Sequence, residues 1–375
     1  MRTNASLRGL MAALVLLGAS HSQAAPPTSV KAVLIDSSAS ALAATKRVAI
    51  TSVMVSFQAS AGGEKTNTSG LFAAKTDTSS SLQMPEVDSK LLGSIADDIY
   101  QQLQTDLAAN GFEVLPEATV VGSAGYQKIA KMAGIANFSK FANLDGDTML
   151  VGASGLKPYL PYNAETGKFS ASIKSNIKGW VGGFGGKSST EGGPSVISIG
   201  EIYGLPGLEV ELAKELNANL VKATYVVTLG SAKAAVDRFS STSHNTYTGS
   251  AFAQVGLRAG QTRIAFRTPS ANAKGESSPG GYAANVGNNA SPAKDGNVVV
   301  SLGEPLLGGT DFFAVTEPDV KKPTLLSGLL GAGFGNGADV QFTFIATVSD
   351  PAAYRAEVVG MAKLAQRDML ALVKP

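Results

Sequence analysis

Leu91-Leu92-Gly93-Ser94-Ile95-Ala96-Asp97-Asp98-Ile99-Tyr100-Gln101-Gln102-Leu103-Gln104-Thr105-Asp106-Leu107-Ala108-Ala109-Asn110-Gly111-Phe112-Glu113-Val114-Leu115 decides the fold class. Leu91, Ile95, Ile99, Leu103 and Leu107 recur every fourth residue, with Leu92 and Ala96 widening the stripe, which predicts an amphipathic helix. Asp97, Asp98, Gln101, Gln102 and Asp106 fall mostly off that stripe, and Pro85 is read as its opening. Asn110-Gly111 ends it, because glycine accepts the left-handed conformation that closes a helix. Phe112 to Leu115 then reads as a strand.

Outward from this helix the pattern alternates. Upstream, Lys46 to Phe57 is rich in β-branched residues and predicts a strand. Residues 58–84, dense in Ser, Thr, Gly and Ala, predict a loop or a weak hairpin around Leu71-Phe72-Ala73-Ala74. Downstream come a helix over 125–137, a strand over 147–152 and a helix over 208–220 with Val210, Leu212, Leu216 and Leu220 on one face. A strand over 223–229 follows. Residues 251–257 and 262–266 flank Arg258-Ala259-Gly260-Gln261 and predict a hairpin. Strands over 297–302 and 340–348 precede a final helix capped by Ser349 or Asp350, with Pro351 in its first turn. Strand, helix, tight turn and strand imply an α/β (α+β) class, a mixed β-sheet packed by amphipathic helices with Gly/Ser-rich insertions.

The amino terminus carries Arg2 and Arg8, then the apolar run Leu10 to Leu17, then Ser22-Gln23-Ala24. Charge, apolar core and small-x-small exit in that order predict a signal peptide over 1–24. The remainder, 25–375, reads as a single α/β domain with Gly-rich insertions near 155–205 and 268–338. Cleavage would remove two of the 31 basic residues and none of the 29 acidic ones, so the mature chain is neutral. Neutrality argues against a nucleic-acid footprint. No second apolar run is long enough for a transmembrane helix. The expected location is the periplasm, or secretion.

The chain has no Cys and two His. Disulfides, thiolate catalysis, Cys-ligated metals and a lipid anchor are excluded at once. After cleavage His244 is the sole imidazole, in the polar stretch 240–248 with no Gly-x-Ser-x-Gly anywhere, so it reads as an exposed loop residue. Gly182-Gly183-Phe184-Gly185-Gly186-Lys187-Ser188 imitates a phosphate loop, yet Val181 stands where that motif needs glycine and no helix can follow. Gly331 to Gly337 alternates glycine and misses the dinucleotide spacing. Asp145-Gly146-Asp147 lacks the further acids of a calcium loop. The Ser-x-x-Lys matches at Ser175–Lys178 and Ser291–Lys294 lack their partner motifs. Glu209, Glu211 and Glu215 read as a solvated helix face. No catalytic, cofactor or metal residue is assigned.

Several pieces together resemble the envelope α/β domains of the curli-secretion-channel (CsgG-like) type, related to the N-terminal domain of TolB. These are Arg47-Val48-Ala49-Ile50, the helix running to Asn110-Gly111-Phe112-Glu113-Val114-Leu115, and Leu212-Ala213-Lys214-Glu215-Leu216-Asn217-Ala218-Asn219 leading into Tyr225-Val226-Val227. The segment 251–266 and the terminal helix complete the order. The curli channel is a lipoprotein, which this Cys-free chain is not. The resemblance implies a non-enzymatic role in envelope assembly, secretion, or binding of a protein or small-molecule partner, with a homo-oligomer possible. Two alternatives remain: an oligomeric outer-membrane-associated pore using amphipathic hairpins at 169–183 and 196–203, and an exported hydrolase relying on carboxylates.

Overall fold

The computed structural model describes residues 28–34, 42, 45–62, 66–70, 73–85, 88–133, 137–143, 146–159, 199–238, 245–270, 297–316, 319–321, 340–373 and 375. Residues 1–24, expected to be a signal peptide, and His244, both glycine-rich tracts, Asp145 and the two Ser-x-x-Lys matches lie outside these residues.

A long strand pair forms the centre. β2 (Arg47–Gln58), which follows the short edge strand β1 (Ala32–Leu34), is buried from its second residue to its last. Such continuous burial, carried mostly by Val, Ile, Met and Phe, belongs to a strand covered on both faces. It lies parallel to β9 (Asn219–Arg238), with Val48 opposite Asn219 and Phe57 opposite Val227. On its other edge β2 carries β6 (Glu113–Val114) near its start and β8 (Gly146–Gly152) near its end. β7 (Phe138–Asn143) pairs with β8. Beyond β9 come β11 (Arg263–Arg267), β12 (Asn297–Leu302) and finally β1, so the main sheet runs β1-β12-β11-β9-β2-β8-β7.

The predicted hairpin at 251–266 is overturned. β10 (Asn245–Leu257) and β11 do not pair with each other; both lie antiparallel along the same edge of β9. β10 takes Val227 to Arg238 and β11 takes Leu220 to Thr224. Residues 258–262 are an outward detour in one interrupted strand. Gly260 turns it at a φ of 70° and its N–H reaches Leu302 O at 2.7 Å. Thr262 Oγ1 fills the gap by accepting Val226 N–H at 3.2 Å. A four-residue polar insert between two apolar runs looks the same in sequence whether the chain reverses or bulges.

Residues 58–84 are more ordered than a loop. β3 (Ser60–Gly62), β4 (Thr66–Gly70) and β5 (Ala73–Gln83) occur there, and β4 and β5 form the hairpin alternative. β5 runs parallel to β16 (Val340–Val348), which also carries β14 (Phe313–Val315) and β15 (Asp319–Lys321). The second sheet is thus ordered β14-β16-β5-β3. β13 (Leu306–Leu307) edges β10.

α1 (Ser89–Ala109) begins four residues after Pro85, where the Asp88 carboxylate accepts Lys90 N–H at 2.9 Å. It buries Leu92, Ile95, Ile99, Leu103 and Leu107 as the spacing requires. α2 (Glu117–Val121) and α3 (Ala124–Ala133) follow. α4 (Ile199–Leu216) starts earlier and ends earlier than its apolar spacing suggests. It continues through Pro206, and Asn217 stops it in the left-handed region at a φ of 45°, so Leu220 belongs to β9. Residues 199–203 are therefore helical, which removes part of the expected amphipathic hairpin at 196–203. α5 (Pro351–Leu370) starts at an Asp350 cap that accepts Ala353 N–H at 3.0 Å.

Strand register sorts the central side chains onto two faces. Val221, Tyr225 and Phe266 face α1 and α5; Gln366 of α5 donates to Tyr225 Oη at 2.8 Å and to Ile99 O at 3.1 Å. Lys222, Arg263 and Arg267 face the other way. Truncating Leu103 to Ala should cost about 2–5 kcal/mol in urea unfolding, whereas Gln101→Ala on the exposed side should stay within about 0.5 kcal/mol.

Candidate functional site

Charge is buried on the second face of the central strands. Glu209 of α4 is 0% exposed, Lys222 of β9 4% and Arg267 of β11 2%. Lys222 Nζ donates to Glu209 Oε1 at 2.8 Å. Arg267 Nε lies 2.7 Å from Glu209 Oε2 as an ion pair, although that N–H is not aligned as a hydrogen bond. Register explains the meeting: Lys222 sits opposite Ala265 and Arg267 opposite Leu220, so both cations leave the sheet side by side on one face.

A bulge completes the cluster. Pairing between β2 and β9 slips between Ile50 and Ser52, leaving Thr51 as the extra residue, and a bulge re-aims the side chain that it carries. Thr51 Oγ1 lies 2.8 Å from Tyr159 Oη and 3.4 Å from Val221 O. Tyr159 also hydrogen-bonds Glu209. An ionised carboxylate only accepts, so the Tyr159 hydroxyl faces Glu209 as a donor; Thr51 donates to Val221 O, and either hydroxyl can supply the proton between Thr51 and Tyr159. The Lys222 ammonium stands 5.9 Å from the centre of the Tyr159 ring.

Burial by itself would raise the Glu209 pKa. The charges of Lys222 and Arg267, with hydrogen bonds from Lys222 and Tyr159, outweigh it and hold the carboxyl below its ordinary value. The group is thus an anion fixed between two cations. It lacks the raised pKa that suits a carboxyl to act as general acid near neutrality.

The cluster's position in the chain is its main feature. Tyr159 is the last described residue before 160–198, and α4, which carries Glu209, begins directly after that stretch. Arg267 closes β11 just before 271–296. One buried network therefore joins the entry and exit of the first Gly/Ser-rich insertion to the entry of the second. The approach to Tyr159 is fixed as well. Asp97 accepts Ser154 N–H at 2.7 Å, and Tyr126 Oη accepts Lys157 N–H at 2.7 Å. Glu117 accepts a hydrogen bond from Tyr100 and packs against Gly155. Burial, followed by the Glu117 charge, pushes the Tyr100 phenol upward, so it remains a donor.

The three acids read as one solvated face have three separate fates. Glu211 is exposed and pairs with Lys128 at 3.5 Å. Glu215 caps α3 by accepting Ala124 N–H at 2.9 Å and Gly125 N–H at 2.8 Å. Glu209 is in the core, so its solvated reading is corrected. The missed signal was its phase: Leu212, Ala213 and Leu216, all buried, lie three, four and seven residues beyond it. Among the described residues no group of three or more His, Asp or Glu could hold a metal ion. Elsewhere, a shallow apolar groove of about 450 Å³ runs between α1 and α5, lined by Leu91, Pro351, Ala356 and Val359 and crossed by the Asp98–Arg355 pair.

The chain matches no protein-family model, no curated protein and no solved structure.

The sign of the pH dependence follows from the lowered Glu209 pKa. Its contribution is present above the ordinary carboxyl pKa of about 4.3 and is lost as pH falls toward the folded value. Glu209→Gln should cost about 3–5 kcal/mol at pH 7, because two buried cations lose their anion. Urea unfolding at pH 7, 5 and 3.5 should show the gap between wild type and variant narrowing toward low pH. A gap constant with pH would contradict an ionised Glu209.

Proposed function

We propose that this chain is an exported bacterial envelope protein without a catalytic role, acting in assembly, secretion, or binding of a protein or small-molecule partner in the periplasm. The observation that carries the reading is the placement of the buried Glu209–Lys222–Arg267 network at the roots of two long insertions. Residues that bind partners are commonly positioned by a rigid scaffold. The charges of this network are consumed within the core, which favours an anchoring role over acid–base work. The leader-like residues 1–24 and the sequence resemblance to CsgG-like domains point to the same compartment. The pore alternative is weakened, since 199–203, part of one expected membrane hairpin, is helical.

Native mass spectrometry of the chain released from a periplasmic extract tests this reading. The intact chain should carry a partner or ligand. Replacing 163–195 with a short Gly/Ser linker should remove it while the melting temperature stays within about 4 °C, the effect of roughly 1 kcal/mol in a domain of this size. A chain that carries nothing and turns over glycan or ester substrates would favour the hydrolase instead.

A further inference from the structure

β10 leaves one edge of the main sheet open. From Asn245 to Ala253 it pairs with β9 on one side, Asn245 opposite Arg238 and Ala253 opposite Gly230. On its other side β13 pairs with Gly256 and Leu257, and Gly308 donates its N–H to Val255 O at 2.9 Å. Among the described residues no strand pairs with that side from Asn245 to Ala253. Burial agrees: Ala251 is only partly buried, whereas Ala232, opposite it on β9, is 4% exposed. Thr248, Ser250 and Phe252 are exposed on one face. On the other face Gly249 lies so close to β16 that a β-carbon there would strike Phe342. The strand is thus backed by the second sheet and bare along its rim.

This edge lacks the usual protection. Natural sheets blunt an edge with charge, proline, a bulge or a short strand, because unpaired N–H and C=O groups invite a further strand. The ends of the two sheets follow that rule: β1, β3 and β14 span three residues each, and β7 contains Lys140. β10 departs from it. No Asp, Glu, Lys, Arg or Pro occurs between Arg238 and Arg258, and the one register slip in β10 follows Ala253, beyond the open stretch. The two most exposed large apolar side chains among the described residues, Leu307 at 61% and Phe252 at 46%, lie on β13 and β10.

The absence of charge also selects the occupant. A charged peptide would find nothing on this strand to pair with. A second copy laid antiparallel across a two-fold axis brings the same neutral residues together, with no like charges opposite each other. A formal charge of +2 on the whole chain adds little long-range repulsion. With Ser250 on the axis, residues 247–253 of the two copies pair in full, and each Phe252 stands opposite Thr248 of the second copy on the exposed face. Alternate residues then satisfy the N–H and C=O groups that point outward.

We propose that two copies of this chain associate through β10, edge to edge and antiparallel about Ser250, so that their main sheets become one. The proposal uses no residue of the leader or of the insertions, so it is independent of the export reading.

An edge contact is small, so association is read by sedimentation velocity of the purified chain from about 1 to 100 µM. Wild type should pass from monomer to dimer across that range. Ser250→Lys sets two ammonium groups on the axis and should weaken association about tenfold or more, as should Ser250→Asp. Gln101→Lys, on the exposed side of α1, should leave it unchanged. An equimolar mixture of the two Ser250 variants should dimerise again, because each Lys then meets an Asp. Hydrogen exchange over 92–107 should match wild type in every variant, which reports that each is folded. The dimer should also persist when 163–195 is replaced by the Gly/Ser linker, the change that removes the partner proposed above. A wild type that stays monomeric throughout, a dimer indifferent to Ser250→Lys, a mixture that fails to associate, or a dimer lost with 163–195 would overturn the edge pairing.

Discussion

The Glu209 carboxylate, fixed between Lys222 and Arg267, is the constraint on which one side of the molecule depends. Taking charges out of water costs several kcal/mol per ion, and the interior tolerates them only when partners are close and well placed. That condition governs three elements at once. α4 must bring Glu209 over the sheet, β9 must keep the register that exposes Lys222 on that face, and β11 must end at Arg267. The bulge at Thr51 belongs to the same requirement, because it turns a hydroxyl toward Tyr159 and so completes the shell of the carboxylate.

β9 makes these demands compatible. Its first nine residues pair with β2 on one edge, and its full length serves β11 and then β10 on the other. The detour at 258–262 and the slip opposite Gly230 let two partner strands share that edge. Gly230 is needed at the slip: its φ is 129°, and a β-carbon there would lie 2.1 Å from Phe252 O. Opposite faces of β9 do different work. Tyr225 meets Gln366 and ties the sheet to α1 and α5, whereas Lys222 meets Glu209 and ties it to α4.

Much of this was legible in the amino-acid sequence where the signal lies within a single element. The four-residue spacing from Leu91 to Leu107 specifies α1, and the β-branched run from Val48 to Phe57 specifies β2. The mixed sheet packed by helices agrees with the class expected from their order. Legibility failed where long-range pairing decides. Residues 251–266 look like a hairpin locally, and only β9 makes them one interrupted strand. Strands β3 to β5 are rich in Ser and Thr, and the pairing of β5 with β16, more than 250 residues away, overrides a loop-like composition. The candidate site was half legible. The phase of Glu209 with Leu212 and Leu216 marks it as buried, but nothing local identifies Lys222 and Arg267 as its partners.

The account stands on the Glu209–Lys222–Arg267 cluster. Hydrogen exchange of Glu209→Gln beside wild type tests it most directly. Protection should fall together in 207–216, 219–224 and 263–270, while 92–107 in α1 and 354–365 in α5 keep theirs. Loss confined to α4, or spread evenly over the whole protein, would contradict the claim that one carboxylate holds these three elements together.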